Sequence, residues 1–263
     1  MESGEHGGSQ RWQLTIIHLA KVKDSCIFDY QALQFCKAFY YMDVMGIRMD
    51  KIQQCAQNFL HLVSTTKYVF HVAKRGVKVL TLDFDLKDFH HLVGLQYLDD
   101  INIPKNKKKT IDWILSEKHP ITDAYLAGSE HYKGKDNDEK DIEERISEFR
   151  HIEQYLDVDN FIRIYSPKDG PQNNSMIRCD YIIESKLKHS SKIVYIFLKH
   201  RKGLQSPCCI VSFGVKKNTA YGGQNLYWML KDKIVSGNRI AIYQHPNYSD
   251  EQKKENESDI FEV

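Results

Sequence analysis

From Phe161 onward the chain breaks into short runs of β-branched and aromatic residues: Phe161 to Tyr165, Ile177 to Glu184, Ile193 to Lys199 and Cys208 to Val215. Each is bounded by Gly, Pro, Asn or Ser, which end strands and open turns. Ile240 to Tyr243 is another short run. Leu226 to Ile234 fits a strand, because Leu226, Trp228 and Leu230 alternate, but a helix fits too. A chain with this series must build a sheet and cover it, and the cover lies upstream. Asp50 to Val63 repeats Ile52, Cys55, Ala56, Phe59, Leu60 and Val63 at helical spacing behind an Asp50 N-cap; Asp141 to Leu156 does the same with Ile142, Ile146, Phe149, Ile152 and Leu156. Shorter helices are predicted over Leu86 to Leu92, stopped near Gly94, and over Thr110 to Glu117 and Ile121 to Ala127, split by Pro120. Tyr68 to Val72 and Val77 to Leu82, joined around Lys74-Arg75-Gly76, read as a hairpin. Helices first and strands after define an α+β class, with N-terminal helices packed on a mainly antiparallel sheet.

Three parts follow along the chain. Residues 1–49 form an extension with a disordered, Gly-rich start, a short strand at Leu14 to His18 and an aromatic-rich helix around Gln31 to Met45. Residues 50–245 form the α+β domain, and residues 246–263 an acidic, flexible tail. No apolar run approaches the roughly 18 residues needed to span a bilayer, and Met1 to Gln10 lacks the apolar core of a signal peptide. The expected setting is the cytoplasm, with no membrane partner.

The formal net charge of +2 conceals a marked asymmetry. Ile177 to His245 carries twelve Lys/Arg against three Asp/Glu, Glu130 to Asp159 five against eleven, and the tail from Pro246 two against six. A basic half fits a polyanion partner, although solvated charged faces give the same count. Lys105 to Lys109 is a further basic loop, and Lys133 to Lys140 a charged one. The six cysteines form no Cys-x-x-Cys pair, and Cys208 and Cys209 are poorly placed to share one zinc, so neither a zinc site nor a disulfide framework is expected.

The phosphate-cradling, dinucleotide, serine-hydrolase and zinc-protease motifs are all missing from the sequence. Asp83 with Asp85, and Asp99 with Asp100, come without a metal framework, so no metal and no cofactor are assigned. What remains is His, Lys, Tyr and Arg: His90, His91, Lys199, His200, Arg201, Lys202, Tyr221, Lys231 and Lys233. This set suits RNA cleavage by the ribose 2′-hydroxyl. A base takes the 2′ proton, an acid protonates the leaving 5′ oxygen, and cations stabilise the phosphorane. Histidine can serve as base or acid, and tyrosine can donate a hydrogen bond or stack on a base. Many RNA-binding proteins share the same residues without cleaving anything.

One segment is more specific. Phe89-His90-His91-Leu92-Val93-Gly94-Leu95-Gln96-Tyr97-Leu98-Asp99-Asp100-Ile101 resembles the F-x-H-L-x-G…L-x-D-I block of a phage- and mobile-element-associated nuclease family, the fourth phage branch of the Barnase–EndoU–colicin–RelE-like superfamily. Two more blocks agree in order. Ile177-Arg178-Cys179-Asp180-Tyr181-Ile182-Ile183 is similar to I-x-A-D-Y-L-I. Ser212-Phe213, Thr219 to Gln224 and Trp228-Met229-Leu230-Lys231-Asp232-Lys233-Ile234 are similar to a Ser-Phe strand followed by D-Y-T-x-x-Q…W-x-L-L-x-K-E-K-I. The match runs from about Lys51 to Tyr243. It departs at Thr219-Ala220-Tyr221, where the family has Asp-Tyr-Thr: the chain has Ala220-Tyr221-Gly222, so the acid and the following hydroxyl are both missing, and Asp232 replaces a glutamate. If either missing group is catalytic, this copy is weak or inactive.

The resemblance implies an RNase/RelE-like fold, with N-terminal helices on a four- to five-stranded antiparallel sheet. It also implies a metal-independent endoribonuclease, acting as a toxin or phage-conflict effector on tRNA or ribosome-associated mRNA, with an antitoxin or immunity protein as a second partner. The alternatives are a non-catalytic RNA- or protein-binding module on the same fold, and an adaptor that uses Met1 to Asp50. On this reading His91 is the acid/base, or else a helix-end histidine favoured by the dipole near Gly94. Tyr221 binds substrate, or packs on the sheet. Lys231 and Lys233, on one face if the segment is a strand, flank a phosphate, or are plain surface cations. His90, Lys199, His200, Arg201 and Lys202 bind RNA, or form a polar turn and packing neighbours. Trp228 is read as core.

Overall fold

The computed structural model describes residues 49–118, 120–134, 141–169, 175–188 and 190–261. The strand and helix expected before Asp50, Cys26 and Cys36, and most of the Lys133 to Lys140 loop lie outside these residues. The described part begins with helix α1 (Lys51–Thr65). Asp50 caps it reciprocally: its carboxylate accepts from Gln53 N at 3.1 Å, and Gln53 Oε1 accepts from Asp50 N at 3.4 Å. Such a box satisfies donors that the first turn leaves without partners. Ile52, Cys55, Ala56 and Phe59 of the expected stripe are buried, joined by Leu62, while Leu60 and Val63 are half-buried.

The hairpin follows as β1 (Thr66–Ala73) and β2 (Val77–Leu82), antiparallel with Phe70 opposite Leu80. Five short helices then run to β3: α2 (Leu86–Leu92), α3 (Thr110–Ile114), α4 (Asp123–Leu126), α5 (Ile142–Phe149) and α6 (Ile152–Asp157). The single helix expected over Asp141 to Leu156 is therefore two, broken at Arg150–His151. The remaining strands are β3 (Asn160–Tyr165), β4 (Tyr181–Ser185), β5 (Ile193–His200), β6 (Cys208–Lys216), β7 (Gly223–Val235) and β8 (Asn238–Gln244). Residues Asp250–Phe261, within the segment read as a flexible tail, form α7. Its Lys253 Nζ donates at 2.9 Å to the fully buried Asp232 of β7.

The expectation of helices on a four- to five-stranded antiparallel sheet is overturned. The strands run β1-β2-β6-β5-β4-β3-β7, and β7 returns to pair with β1, closing a seven-stranded mixed barrel with β8 added to β7. Only the β2–β6 contact is parallel, through the single pair Leu82–Cys208. The cause is β7. At thirteen residues it is long enough to pair with β3 through its first part and with β1 and β8 further along. Periodicity marks where strands occur but not which edges meet, so a hairpin far upstream was assigned no place in the sheet. Closure also needs Gly223. A Cβ there would lie 2.2 Å from the Ile164 carbonyl oxygen across the β3–β7 pair.

Helices and strands share one main core. Within it an aromatic chain joins the elements that carry the candidate site: Phe59 of α1 to Phe89 of α2 (5.4 Å between ring centroids), Phe59 to Phe149 of α5 (5.9 Å), and Phe149 to Phe213 of β6 (5.1 Å). Such ring pairs contribute about 0.5–1.5 kcal/mol each beyond their buried area.

Candidate active site

Helix α2 carries both histidines. Asp85 caps its start by accepting from Lys87 N at 3.1 Å, and Gly94, at φ 86°, turns the chain away after its end. The adjacent rings have different fates. His90 is buried, with Nδ1 3.3 Å from Thr110 Oγ1. His91 is half-buried and faces the Val211 carbonyl, which favours its charged form. Val211 is the extra residue of a β-bulge: Phe197 pairs with Ser212 and Leu198 with Ile210, which leaves Val211 without a partner in β5. A bulge re-aims backbone groups in this way. Burial, then the charges of Arg145 and Lys107, hold the His91 pKa below its ordinary value despite the Val211 carbonyl. His90 is lowered by burial, then by Lys107 and His91.

Arg145, absent from the sequence candidates, lies at the centre. It projects from α5 and is 9% exposed. Its Cζ stands 5.8 Å from the Tyr97 ring centroid, and its charge acts on His91, Tyr97 and Tyr221. Among the described residues no carboxylate pairs with it. Gly94 makes room: a Cβ there would meet Ile142 Cδ1 at 2.7 Å and Arg145 Cδ at 3.2 Å. Guanidinium does not deprotonate in proteins, and burying a charge costs several kcal/mol unless something compensates it. A buried cation that no described carboxylate pairs is a candidate site for an incoming anion. A signal was present in the sequence. Arg145 interrupts the stripe Ile142, Ile146, Phe149, taking the i+3 position of a buried face.

Tyr221, whose phenol acts electrostatically on Arg145, is packed edge-to-face on Tyr195 (4.9 Å) and Phe197 (5.0 Å). Its neighbour Ala220 donates its N–H to the Tyr195 hydroxyl at 3.0 Å. His91 and Tyr221 are thus both within electrostatic reach of Arg145.

The fold takes the two β7 lysines elsewhere. Lys231 and Lys233 do share a face, but that face meets the α6–β3 corner. Lys231 Nζ donates to Val158 O (2.8 Å) and Asn160 Oδ1 (3.3 Å) and lies 5.0 Å from the Trp228 ring; burial pushes its pKa down to about 8. Lys233 pairs with Glu153 and with Asp157 at 3.1 Å; burial lowers its pKa, but the two carboxylates outweigh this and raise it. Trp228 donates to Asn160 O at 2.7 Å and packs on Phe70.

The Lys199 to Lys202 run is divided. Lys199 and Lys202 are exposed. His200 is buried; its backbone N–H donates to Asp180 Oδ2 at 2.9 Å, and its ring Nδ1 meets the Ser206 carbonyl at 2.7 Å. Arg201 clamps the β5–β6 turn to α2 through Asp83 (2.7 Å) and Asp88 (2.8 Å), a positioning role for the helix that holds the histidines. Arg201→Ala leaves the mostly buried Asp88 without its partner, and thermal melts should show a loss of about 1–3 kcal/mol, the cost of an uncompensated buried polar group.

The described residues hold one group of side chains close enough to share a cation, the exposed Asp99, Asp100 and His131. Asp100 already accepts from Ser129 Oγ (2.5 Å) and Glu130 N (2.8 Å), which ties down a loop. No described helix is long and apolar enough to cross a membrane.

A buried arginine whose charge acts on a half-buried histidine is an arrangement suited to phosphate chemistry. Residues 51–260 match the family described as phage-Barnase-EndoU-ColicinE5/D-RelE like nuclease4. The chain belongs to this phage-associated nuclease family. No curated protein and no solved structure matches it.

Proposed function

We propose that the protein is a metal-independent endoribonuclease. The observation that carries this reading is Arg145, a buried guanidinium that pairs with no carboxylate among the described residues and whose charge acts on both His91 and Tyr221. His91, neutral near pH 7 because its pKa is lowered, takes the proton of a ribose 2′-hydroxyl as that oxygen attacks the adjacent phosphorus. Arg145 balances the charge gathering on the phosphorane. The P–O5′ bond then breaks, and the 5′ oxygen leaves with a proton from the Tyr221 phenol, which solvent restores. The products are a 2′,3′-cyclic phosphate and a 5′-hydroxyl. Positioned acid–base groups contribute about 10²–10⁴-fold, and a preorganised donor at a developing anion about 10²–10³-fold. Family membership supports a nuclease; the choice of RNA rests on residues suited to act as base toward a 2′-hydroxyl, cation toward the phosphorane and proton donor to the leaving 5′ oxygen. A toxin or phage-conflict effector restrained by an antitoxin fits this activity.

The test is incubation with tRNA and total RNA in EDTA from about pH 5 to 8, the span over which histidine titrates. Fragments with cyclic phosphate ends are expected. Equal cleavage of DNA, or cleavage only on adding magnesium, overturns the reading. The alternative, a non-catalytic RNA-binding protein, draws on Ala220 and on the burial of Tyr221; RNA binding without cleavage, unchanged in His91→Ala, would establish it.

A further inference from the structure

Beside the histidines lies a segment that the proposed reaction does not use. Lys105, Lys107, Lys108 and Lys109 are all exposed, and none forms an ion pair among the described residues. The loop that bears them is firmly held. Asn106 caps a short 3-10 turn (Lys107–Lys109), accepting from Lys108 N at 3.2 Å, while Lys109 N donates to Asn106 O at 2.9 Å. Immediately after it, buried Thr110 meets His90 Nδ1, and Ile111 and Ile114 enter the core. The loop is thereby fixed against α2, close enough for the Lys107 charge to act on both His90 and His91. Trp113 of α3 is 46% exposed, although tryptophan is a residue that folding normally buries. It follows Lys109 by four positions, so the two share a helical face.

We infer that the Lys105–Lys109 loop and Trp113 form a platform for a single-stranded polynucleotide, binding phosphates and one base beyond the bond cleaved at His91. Exposed unpaired lysines match the backbone, and an exposed indole offers a surface for a base of any identity; these are the two components of sequence-tolerant single-strand binding. Segment 105–118 bears five lysines against Asp112 and Glu117, so its field is positive. The inference rests on the endonuclease reading for its link to cleavage, but the binding surface stands by itself. On this account the substrate is a strand spanning several nucleotides, and a dinucleotide engages only the site at His91 and Arg145.

The test compares the unaltered protein with Lys105→Gln/Lys108→Gln/Lys109→Gln and with Trp113→Ala, leaving Lys107 in place because its charge acts on the histidines. Fluorescence anisotropy of a labelled single-stranded 20-mer RNA measures binding, and the cleavage rates of that RNA and of a dinucleotide measure catalysis. The triple variant should lower the slope of log affinity against log salt by about 2, since each phosphate contact on a single strand contributes about 0.7. Trp113→Ala should weaken binding about tenfold, with Trp113→Phe recovering most of it. Cleavage of the 20-mer should fall in parallel, and cleavage of the dinucleotide should not change. Circular dichroism establishes that the variants are folded. Affinity and salt slope equal to those of the unaltered protein overturn the platform whether or not RNA is cleaved. Lysine- and Trp113-dependent binding without any cleavage supports the platform and sinks the endonuclease reading instead.

Discussion

Arg145→Leu should abolish RNA cleavage, by about 10²–10³-fold in kcat, and yet leave the protein at least as stable as before. Few active-site substitutions allow the two readouts to be separated so well. An arginine that serves structure is held by carboxylates or carbonyls, and its loss exposes them. Arg145 has no such carboxylate among the described residues and is almost wholly buried. Replacing an uncompensated buried charge by an apolar side chain of similar reach is neutral or stabilising by roughly 1–4 kcal/mol. Thermal melts and initial cleavage rates measured on one preparation decide the matter. A lower melting temperature together with retained cleavage would assign Arg145 to the core.

His91→Gln should lower kcat by about 10²–10⁴-fold and remove the acid limb of the pH profile. In the unaltered protein that limb should lie below about 6.5, the ordinary histidine value, because burial and the charges of Arg145 and Lys107 keep His91 from protonating. Lys107→Gln should move the limb to higher pH. Stability must be measured alongside, with the sign worked out. His90 and His91 both have lowered pKa values in the fold, so below about pH 6.5 the unfolded chain binds more protons than the folded one. Stability is therefore lost as pH falls from that value toward the lowered ones, and rate data in this window need a folded-fraction correction. An acid limb that persists in His91→Gln would mean that another group is the base.

What the sequence disclosed follows the range of the interactions involved. The α1 stripe, its Asp50 cap, the β1–β2 hairpin and the Gly94 stop depend on neighbours a few residues apart, and the structure contains all of them. The barrel was not legible. It depends on β7 meeting β1 more than 150 positions away, and no local pattern encodes that pairing. The same division runs through the site. The family block singled out His91. Lys231 and Lys233 looked suitable because strand periodicity gave them a common face, but periodicity does not say what that face meets, and here it meets carboxylates and carbonyls of the α6–β3 corner. Arg145 was passed over because the helix stripe was read for its apolar members alone.

The barrel has one weak joint. Its other contacts are ladders of several residues, but β2 meets β6 only at Leu82–Cys208, supplemented by Asp83 N to Cys208 O at 3.1 Å. Beside this joint sit Arg201 and its two aspartates, and α2 begins three residues past it. Of all the lines along which the ring could part, this one breaks the fewest bonds, and low-cost openings are those that thermal fluctuation samples most. The chain of β2 runs on into α2, while Arg201 holds that helix from the β5–β6 side, so the helix that bears His91 straddles the joint. Arg201 therefore does at this joint what backbone ladders do at the others.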